Sequence, residues 1–365
     1  MNSAVILGDS THNTLSVVRS LGEAHIPFVL LLNGENDICN VAKSKYVRRN
    51  KLIRINSTDE ALPILRAMKV SDTVKIICTY DEAAEFVDEN ETELSSKFIT
   101  PCRGKRIGQL FNKDAQCALA RSCGLTVPKS CLFHRGDNTR TSLLPYPIIL
   151  KPLYSTKGEK SDIHVCRSKN EFEQALNATS SCDDFILQEF IDKEYELNCI
   201  GISNDKGIII PGGIVKKRHY PMITGACSFG KYKLADTLTV NYTNIKEFIK
   251  KTCYYGPFSV EFLHTKDGKD YFMEANFRND GLAQIVTDAG VNLHAKYIDE
   301  SYPLDLDKTR SIYMMDYSID YLHVKERRIS KSRWWRDFFR TRCFINASLR
   351  DPMPVLGHYL EKLRI

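Results

Sequence analysis

Residues 258–278 read FSVEFLHTKDGKDYFMEANFR, and this stretch decides how the rest of the chain is interpreted. Its two apolar runs predict two strands, and Lys266-Asp267-Gly268 between them predicts a tight turn. Each run contains one glutamate, Glu261 in the first and Glu274 thirteen residues later. A hairpin of this length places the strands side by side, so both glutamates can point to one face of the sheet.

The predicted hairpin carries a set of oxygen ligands. Glu261 and Glu274 supply carboxylates, and Asn276 adds an amide oxygen. Mg²⁺ prefers such ligands and completes its shell with water and phosphate oxygens. Glutamate is rarely placed in an apolar strand unless it is paired or binds a metal. Arg278 would face the same side as Asn276, where its charge can stabilise a transferring phosphoryl group.

Three further features precede the hairpin in the chain. Lys113 begins a predicted helix, and Lys151 lies at the end of an apolar strand. The apolar strand segment 187–191 follows, and Glu196 lies seven residues after Glu189. Taken singly, the lysines and Glu196 are typical of exposed surface positions. Together with the hairpin glutamates they form an ordered set, and that order is the informative signal.

The ordered set resembles the ATP-grasp superfamily over roughly residues 107–292. Residues 274–278 have the form Glu-x-Asn-x-Arg, which is similar to carbamoyl-phosphate synthetases, biotin carboxylases and D-aspartate ligases. The D-alanine ligase pattern lacks that arginine, so the D-aspartate ligase and carbamoyl-phosphate synthetase group lies nearest by resemblance. The resemblance implies a two-lobed fold that binds ATP and Mg²⁺ between its lobes, behind an N-terminal lobe.

The resemblance also implies a role for each residue of the set. The residues expected at the ATP phosphates are Lys113, Lys151 and Lys157. Those expected at the adenine and the ribose are Gln188, Glu189, Phe190, Ile191 and Glu196. Those expected at Mg²⁺, with Mn²⁺ as an alternative, are Glu261, Glu274 and Asn276. Those expected beside the reacting phosphate as catalytic residues are Lys151 and Arg278. The loop around Lys157 has one glycine, fewer than is usual in the family.

The first part of the chain has a different pattern of predicted secondary structure from the rest. Strands predicted at residues 4–7, 28–32 and 74–78, with helical patterns between them, indicate an open parallel sheet. The later strands and turns indicate an antiparallel or mixed sheet. The expected fold class is α/β, with an α+β catalytic part. The predicted domains are an N-terminal pre-ATP-grasp domain at 1–106, a small lobe at 107–190, a large lobe with the metal site at 191–300 and a C-terminal basic and aromatic helical extension at 301–365.

The composition is that of an ordinary globular protein, with 43% hydrophobic and 26% charged residues. No run of eighteen apolar residues occurs and the N-terminus does not resemble a signal peptide, so a cytoplasmic location is expected. Twelve cysteines are scattered singly, which is typical of thiols in a reducing compartment. The net charge of +6 favours anionic ligands such as nucleotides and does not by itself indicate nucleic acid.

Four short segments allow two interpretations each. Gly8-Asp9-Ser10 is either a dinucleotide-binding turn, for which the G-x-G-x-x-G pattern is absent, or a tight turn at the rim of the substrate site. Asp81, with Glu82 beside it, contacts a substrate amino group or caps a helix. Residues 216–219 form a solvated basic turn or a clamp for phosphate or carboxylate. Residues 325–342 form a helix packed on the catalytic lobe, which is favoured, or an interfacial membrane anchor.

The predicted function is ATP-dependent ligation of a small carboxylate, such as an amino acid, to an amine. An acyl phosphate is the expected intermediate, with ADP and phosphate released, because transfer of the γ-phosphoryl group gives a carboxylate, itself a poor electrophile, a good leaving group. No cysteine lies beside a histidine in a recognisable nucleophile motif. The expected partners are the carboxylate and the amine acceptor, and a homodimer is compatible with the sequence. The alternative is a non-catalytic ATP-binding sensor that keeps the fold, against which the intact acidic set argues.

Overall fold

The structure is a computed structural model that describes residues 2–34, 39–70, 72–136, 144–154, 162–222 and 225–362. Within these ranges the strands are β1 (Ser3–Asp9), β2 (Phe28–Asn33), β3 (Leu52–Ile55), β4 (Val74–Cys78), β5 (Ser130–His134), β6 (Ile148–Pro152), β7 (His164–Cys166), β8 (Asp184–Glu189), β9 (Lys193–Asn204), β10 (Gly207–Ile209), β11 (Gly212–Tyr220), β12 (Ala226–Leu234), β13 (Pro257–Thr265), β14 (Asp270–Asn276), β15 (Tyr313–Met315) and β16 (Thr341–Phe344). The α-helices are α1 (His12–Glu23), α2 (Ala61–Ala67), α3 (Asp81–Glu89), α4 (Glu91–Leu94), α5 (Lys113–Ser122), α6 (Lys169–Ala178), α7 (Tyr242–Thr252), α8 (Ala283–Asp288), α9 (Leu293–Ile298), α10 (Tyr317–Asp320), α11 (Leu322–Lys325), α12 (Lys331–Arg340) and α13 (Met353–Lys362). In the part of the chain so described, no helix is long and apolar enough to cross a membrane.

The N-terminal lobe is built on four parallel strands in the order β3-β2-β1-β4. Side chains alternate along β1, so Val5 and Leu7 join one core while Ala4 and Ile6 join another on the opposite face. Burial on both faces is typical of a parallel sheet covered by helices, and the predicted parallel sheet is confirmed. β3 is not predicted from the sequence, because its segment, Leu-Ile-Arg-Ile, is short and interrupted by an arginine.

A second sheet, in the order β5-β8-β6-β7, forms the small lobe and is antiparallel. One face is covered by α6, whose Phe172 and Ala175 join the core that contains Phe133 and Phe185. α5 begins where predicted, at Lys113, and Gly124 just beyond its end has a φ of +77°, the left-handed conformation expected there. β6 ends on Lys151 and Pro152, so the predicted position of Lys151 at a strand end is confirmed.

The third and largest sheet has the order β14-β13-β9-β11-β12-β15-β16, with β10 beside β9. Its pairs are antiparallel except for β15 with β16, so the prediction of an antiparallel or mixed sheet is confirmed. The sequence of residues 207–214 predicts one continuous strand, and this prediction is wrong, because β10 ends at Ile209 and β11 begins at Gly212. Pro211 lies in the break, and proline has no N–H to donate to a ladder.

The segment after residue 300 adds strands as well as the predicted helices. β15 pairs with β12, and β16 lies parallel to β15. α12 covers this edge through Trp334, which joins Phe229 and Met315 in a separate small core. The chain then returns to the N-terminal lobe, where Asp351 forms a buried ion pair with Arg19 at 3.1 Å from Oδ2 to Nε. The extension is therefore packed against both the large sheet and the first lobe.

Candidate functional site

The hairpin of β13 and β14 sets the register of the site. Glu261 lies opposite Glu274, and Ser259 opposite Asn276, while a register shift follows directly after Glu261. Such a bulge beside a site redirects the side chains next to it. On its other side β13 pairs with β9, which places Asn198 opposite Glu261. The predicted hairpin, with its two glutamates adjacent, is confirmed.

Glu261 is buried among charges of both signs. Burial raises the pKa of its carboxyl, the Lys216 ammonium in contact with it opposes that rise, and Glu274 and Asp280 add to it. Lys216 is itself buried and lies 3.3 Å from Glu196 Oε2. Burial would lower the pKa of Lys216, but Glu261 and Glu196 outweigh burial and raise it. The carboxylates therefore converge on one cation, an arrangement that favours further positive charge.

The other two predicted metal ligands lie on β14. Asn276 donates from Nδ2 to Ser259 Oγ at 3.2 Å and accepts at Oδ1 from Arg278 at 3.3 Å, which fixes its amide. Glu274 is half-buried, and no donor in the described residues hydrogen-bonds its carboxylate. Those residues contain no group of three or more His, Cys, Asp or Glu arranged as a self-sufficient metal centre. The donor set nevertheless fits Mg²⁺, which takes part of its shell from phosphate and water.

Sequence reasoning missed two polar residues at this site, Asp280 and Asn198. Asp280 Oδ2 accepts from Asn198 Nδ2 and from Ser259 Oγ, both at 3.1 Å. Burial would raise the pKa of Asp280, but the nearby Arg278 guanidinium outweighs burial and lowers it. Asn198 Oδ1 is buried without a hydrogen-bond partner in the described residues. The only sequence signal for Asp280 is its position two residues after Arg278, and Asn198 has none.

Two predicted phosphate-binding lysines, Lys113 and Lys151, lie near each other in the small lobe. Lys151 is buried and donates from Nζ to Gln188 Oε1 at 3.0 Å. Burial lowers the pKa of Lys151, and the positive charge of Lys113 acts in the same direction while Glu274 opposes it. Lys113 donates to the Pro152 carbonyl oxygen at 3.1 Å. The structure thus brings Lys113, Lys151 and Gln188 together, with Lys151 within electrostatic range of Glu274.

The strand predicted to end at Ile191 ends instead at Glu189, so Phe190 and Ile191 form the connection to β9. Glu189 Oε1 accepts from the backbone N–H of Lys129 at 2.8 Å, and the Phe190 N–H donates to the Pro147 carbonyl at 3.2 Å. These two groups are therefore engaged within the small lobe. The adenine contacts implied for residues 188–191 stay a prediction. Lys157 lies outside the described residues.

Glu196 is surrounded by basic side chains. It contacts Lys193, and its Oε2 lies 3.3 Å from Lys216 Nζ and 3.0 Å from His219 Nε2. Burial would raise the pKa of Glu196, but the hydrogen bond from His219 and the charge of Lys216 outweigh burial and lower it. Its carboxylate is thus ionised and oriented. The role of Glu196 at a ribose stays a prediction.

The interpretation of residues 216–219 as a solvated basic turn is wrong, because they belong to strand β11. Lys216 and His219 pair with the site carboxylates, while Lys217 between them is exposed. Arg218 turns the other way and binds Asp320 and Asp337, at 2.9 Å and 2.7 Å. Regular alternation would place Lys216 and Arg218 on the same face. The pairing of β11 with β12 shifts register between Lys216 and Arg218 and again between Arg218 and His219, and such irregularities redirect the side chains next to them.

Arg278 connects the site to the N-terminal lobe. Its Nε donates to Asp81 Oδ1 at 2.8 Å, and its NH1 donates to the Asn279 carbonyl at 3.1 Å. Burial would lower the pKa of Arg278, but Asp81 and Asp280 outweigh burial and raise it. Helix capping by Asp81 is wrong, because Tyr80 is the N-cap and Asp81 is the first residue of α3. The carboxyl end of β4 therefore forms one wall of the site.

The turn after β1 is closed by its own side chains. Asp9 Oδ1 accepts from the hydroxyls of Thr11 at 2.8 Å and Thr14 at 2.9 Å. A Cβ at Gly8 would lie 2.5 Å from Thr14 Cγ2, so the close packing at the end of β1 requires glycine. The prediction of a tight turn over Gly8-Asp9-Ser10 is wrong for its first two residues, because Gly8 and Asp9 still pair with β2 and the chain bends only from Ser10. A role at the rim of the substrate site stays a prediction.

Comparison with known proteins gives distant similarity in sequence and close similarity in fold. No family model matches the chain. The chain is 25% identical over 118 residues to the vancomycin B-type resistance protein VanB of Enterococcus faecalis, covering 32% of this chain and 34% of that protein. It is 23% identical over 206 residues to N5-carboxyaminoimidazole ribonucleotide synthase of Aquifex aeolicus, covering 52% of this chain and 54% of that protein. The chain therefore aligns with between a third and about half of the length of these relatives.

A solved structure of carboxyaminoimidazole ribonucleotide synthase from Aspergillus clavatus, complexed with ATP, is similar over nearly the whole chain. The TM-score is 0.67 at 15% sequence identity, covering 90% of this chain and 86% of that chain. At such an identity the similarity concerns the fold. The chain has the ATP-grasp fold, as the ordered set of lysines and carboxylates predicts.

Proposed function

We propose that this chain is an ATP-dependent carboxylate–amine ligase that releases ADP and phosphate. The observation that carries the proposal is the convergence of groups from all three lobes on one face. Glu261 and Glu274 come from the large sheet, Lys151 from the small sheet, and Asp81 of the first lobe orients Arg278. A site built across lobes in this way suits two substrates that must be aligned before they react.

The metal would be held by Glu261, Glu274 and Asn276, whose oxygens suit Mg²⁺ or Mn²⁺. When bound, the ion would neutralise charge on the phosphate oxygens and help to orient them. Asn276 is already oriented by Ser259 and Arg278, so little reorganisation is needed at that ligand. Lys216 forms ion pairs with both Glu261 and Glu196, and its charge limits the repulsion between these carboxylates when no metal ion is bound.

The nucleotide would lie between the small and large sheets. Lys113 and Lys151 would face its phosphates, the 188–191 connection its adenine and Glu196 its ribose. Burial lowers the pKa of Lys151, and phosphate anions would favour its charged form in return. Before a nucleotide binds, the hydrogen bond from Lys151 Nζ to Gln188 Oε1 at 3.0 Å holds the ammonium group in place.

The chemistry follows from what a carboxylate lacks. At neutral pH it is a poor electrophile, because its charge repels nucleophiles and it has no good leaving group. A carboxylate oxygen attacking the γ-phosphorus forms an acyl phosphate and expels ADP, with Arg278 and Lys151 balancing the charge. The amine nitrogen then attacks the acyl carbon, loses a proton and expels phosphate, which keeps one oxygen of the original carboxylate.

A small carboxylate, such as an amino acid, and an amine acceptor are the proposed substrates. The resemblance to D-aspartate ligases in the Glu-x-Asn-x-Arg segment supports this choice. The name of the Aquifex aeolicus relative also describes a product that carries a carboxyl group on an amino nitrogen. Both similarities support the formation of a bond between a carboxyl carbon and a nitrogen.

The test is a screen of amino acids and amines for stimulated ADP release, followed by isotope tracing with the active pair. Carboxylate labelled with ¹⁸O should deliver one labelled oxygen to inorganic phosphate, while unlabelled carboxylate should deliver none. AMP and pyrophosphate as products would mean adenylation and would refute the proposed mechanism. Tight ATP binding without stimulated ADP release by any pair would favour the alternative of a non-catalytic sensor.

A further inference from the structure

Residues 325–342, here called the basic–aromatic segment, contain eight Lys or Arg and two acidic residues. The rest of the chain has 43 basic and 43 acidic residues, so the entire net charge of +6 resides in this segment. All eight basic side chains are exposed. The acidic ones are engaged, since Asp337 is buried against Arg218 and Glu326 pairs with Arg328 at 2.9 Å. The segment therefore presents a concentrated positive surface.

Helix α12 within this segment has an inner and an outer aromatic pair. Trp334 is 5% exposed and packs edge-on against Tyr321, and Phe338 packs on Phe344 with ring centroids 4.9 Å apart. Trp335 and Phe339 point outward, 49% and 78% exposed. They lie one turn apart with stacked rings at 5.7 Å and form an exposed ridge.

The helix that carries this ridge is fixed to the body of the protein. Ser330 caps its N-terminus by accepting from the Arg333 N–H at 3.2 Å. Asp337 accepts from Arg218 at 2.7 Å, and Arg218 is bound on its other side by Asp320. The favoured interpretation, a helix packed on the catalytic lobe, is confirmed for the inner face. The outer rings of Trp335 and Phe339 contact other aromatic rings of the same helix, and their exposed sides face solvent. The interpretation as an interfacial anchor stays a prediction.

We propose that the basic–aromatic segment docks on the surface of an anionic lipid bilayer. Trp335 and Phe339 would enter the headgroup region, where aromatic rings are favoured, and the surrounding basic side chains would pair with anionic headgroups. The ridge consists of two exposed aromatic rings stacked on each other on one helix face, which suits shallow insertion better than base stacking along a nucleic-acid strand. The charge complementarity selects anionic over neutral lipid. This surface is separate from the ligase site and does not depend on it.

Co-sedimentation of the full chain with vesicles tests the proposal. The protein should pellet with phosphatidylcholine vesicles that contain about one third phosphatidylglycerol and stay in solution with phosphatidylcholine alone, and salt should release it. Absence of binding to the anionic vesicles at low salt would overturn the proposal. Pelleting or dimer formation without vesicles, lost on changing Trp335, would make a second copy the occupant and would also overturn it.

One double variant and its matched control test the contribution of the exposed aromatic side chains to vesicle binding. Trp335→Ser with Phe339→Ser should weaken vesicle binding at least about tenfold, while the melting temperature falls by only a few degrees, because Phe339 is mostly exposed and Trp335 is half exposed. The matched control, Met222→Ser with Leu306→Ser, removes apolar side chains of similar exposure elsewhere and should bind normally. Equal losses in both variants would overturn the assignment to α12.

The charge contribution has its own pair. Arg333→Gln with Arg336→Gln should lower binding by about 30-fold, since each basic residue near an anionic surface contributes about 1 kcal/mol. Lys246→Gln with Lys250→Gln removes two exposed charges on α7 and should have little effect. Tighter binding of the wild type to a DNA duplex than to the vesicles would overturn the choice of partner.

Tryptophan fluorescence gives an independent readout, because the chain has two tryptophans. Trp334 is buried in either state, so a blue shift on adding anionic vesicles reports Trp335. The shift should disappear in Trp335→Phe. A blue shift that persists in that variant would show that the ridge does not enter the bilayer.

Discussion

Replacement of Lys216 by methionine is the sharpest test of the electrostatic arrangement. Lys216 Nζ contacts Glu261 and lies 3.3 Å from Glu196 Oε2, and all three side chains are about 10% exposed. Methionine keeps most of the volume and removes the charge, so two buried carboxylates lose their shared cation. Lys217, the exposed neighbour on the same strand, provides the matched control as Lys217→Met.

The magnitude follows from distance and burial. At 3.3 Å and an effective dielectric constant near 20, the attraction between Lys216 and Glu196 alone is about 5 kcal/mol. The variant also avoids the cost of burying the ammonium, which offsets part of that loss. Removing one partner of a buried ion pair typically costs about 3–5 kcal/mol, and that is the expected decrease in the free energy of unfolding. Lys217→Met should change it by less than about 0.5 kcal/mol.

Denaturant unfolding at a series of pH values measures both the size of this loss of stability and the sign of its pH dependence. The pKa of Glu196 is lower in the folded protein than its ordinary value of 4.5, so the ionised carboxylate stabilises the fold at any pH above 4.5. This stabilisation is lost as the pH falls from 4.5 toward the folded pKa. The difference between wild type and Lys216→Met should therefore be full at neutral pH and shrink below about pH 4.5. A Lys216→Met protein as stable as Lys217→Met at pH 7 would refute the reasoning.

Three further outcomes are expected. Glu274→Gln should abolish substrate-dependent ADP release at limiting Mg²⁺ while circular dichroism and melting stay unchanged; wild-type activity there would remove Glu274 from the metal site. Asp81→Asn should lower turnover tenfold to a hundredfold, because losing a charged hydrogen bond worth roughly 1.5–3 kcal/mol frees Arg278, and unchanged kinetics would contradict that coupling. Trp334→Ala should destabilise the fold by about 3–5 kcal/mol and Trp335→Ala by about 1 kcal/mol, as measured by denaturant unfolding, because Trp335 is half exposed and contacts aromatic rings of its own helix. Equal effects would contradict the two-faced helix.

Local pattern predicted much of the fold. Short, nearly continuous apolar runs identified β1, β2 and β4, because a strand that is buried on both faces needs no polar side. Two apolar runs around a turn sequence identified the β13–β14 hairpin. The start of α5 and the glycine beyond its end followed from the same local rules. Strand ends were less certain, since they depend on where a partner strand stops. β8 accordingly ends before the predicted position.

The same limit applies to the site. The sequence by itself selected Glu261 and Glu274, because a charge within an apolar strand needs a partner or a metal. It selected Arg278 by its position two residues after Asn276. Only the tertiary structure decided which charges meet. Lys216 reaches Glu261 across 45 residues of sequence, and Arg278 reaches Asp81 across 197. Such pairs depend on strand order and register, which arise when the sheets pack, and Coulomb attraction depends on distance in space and not along the chain.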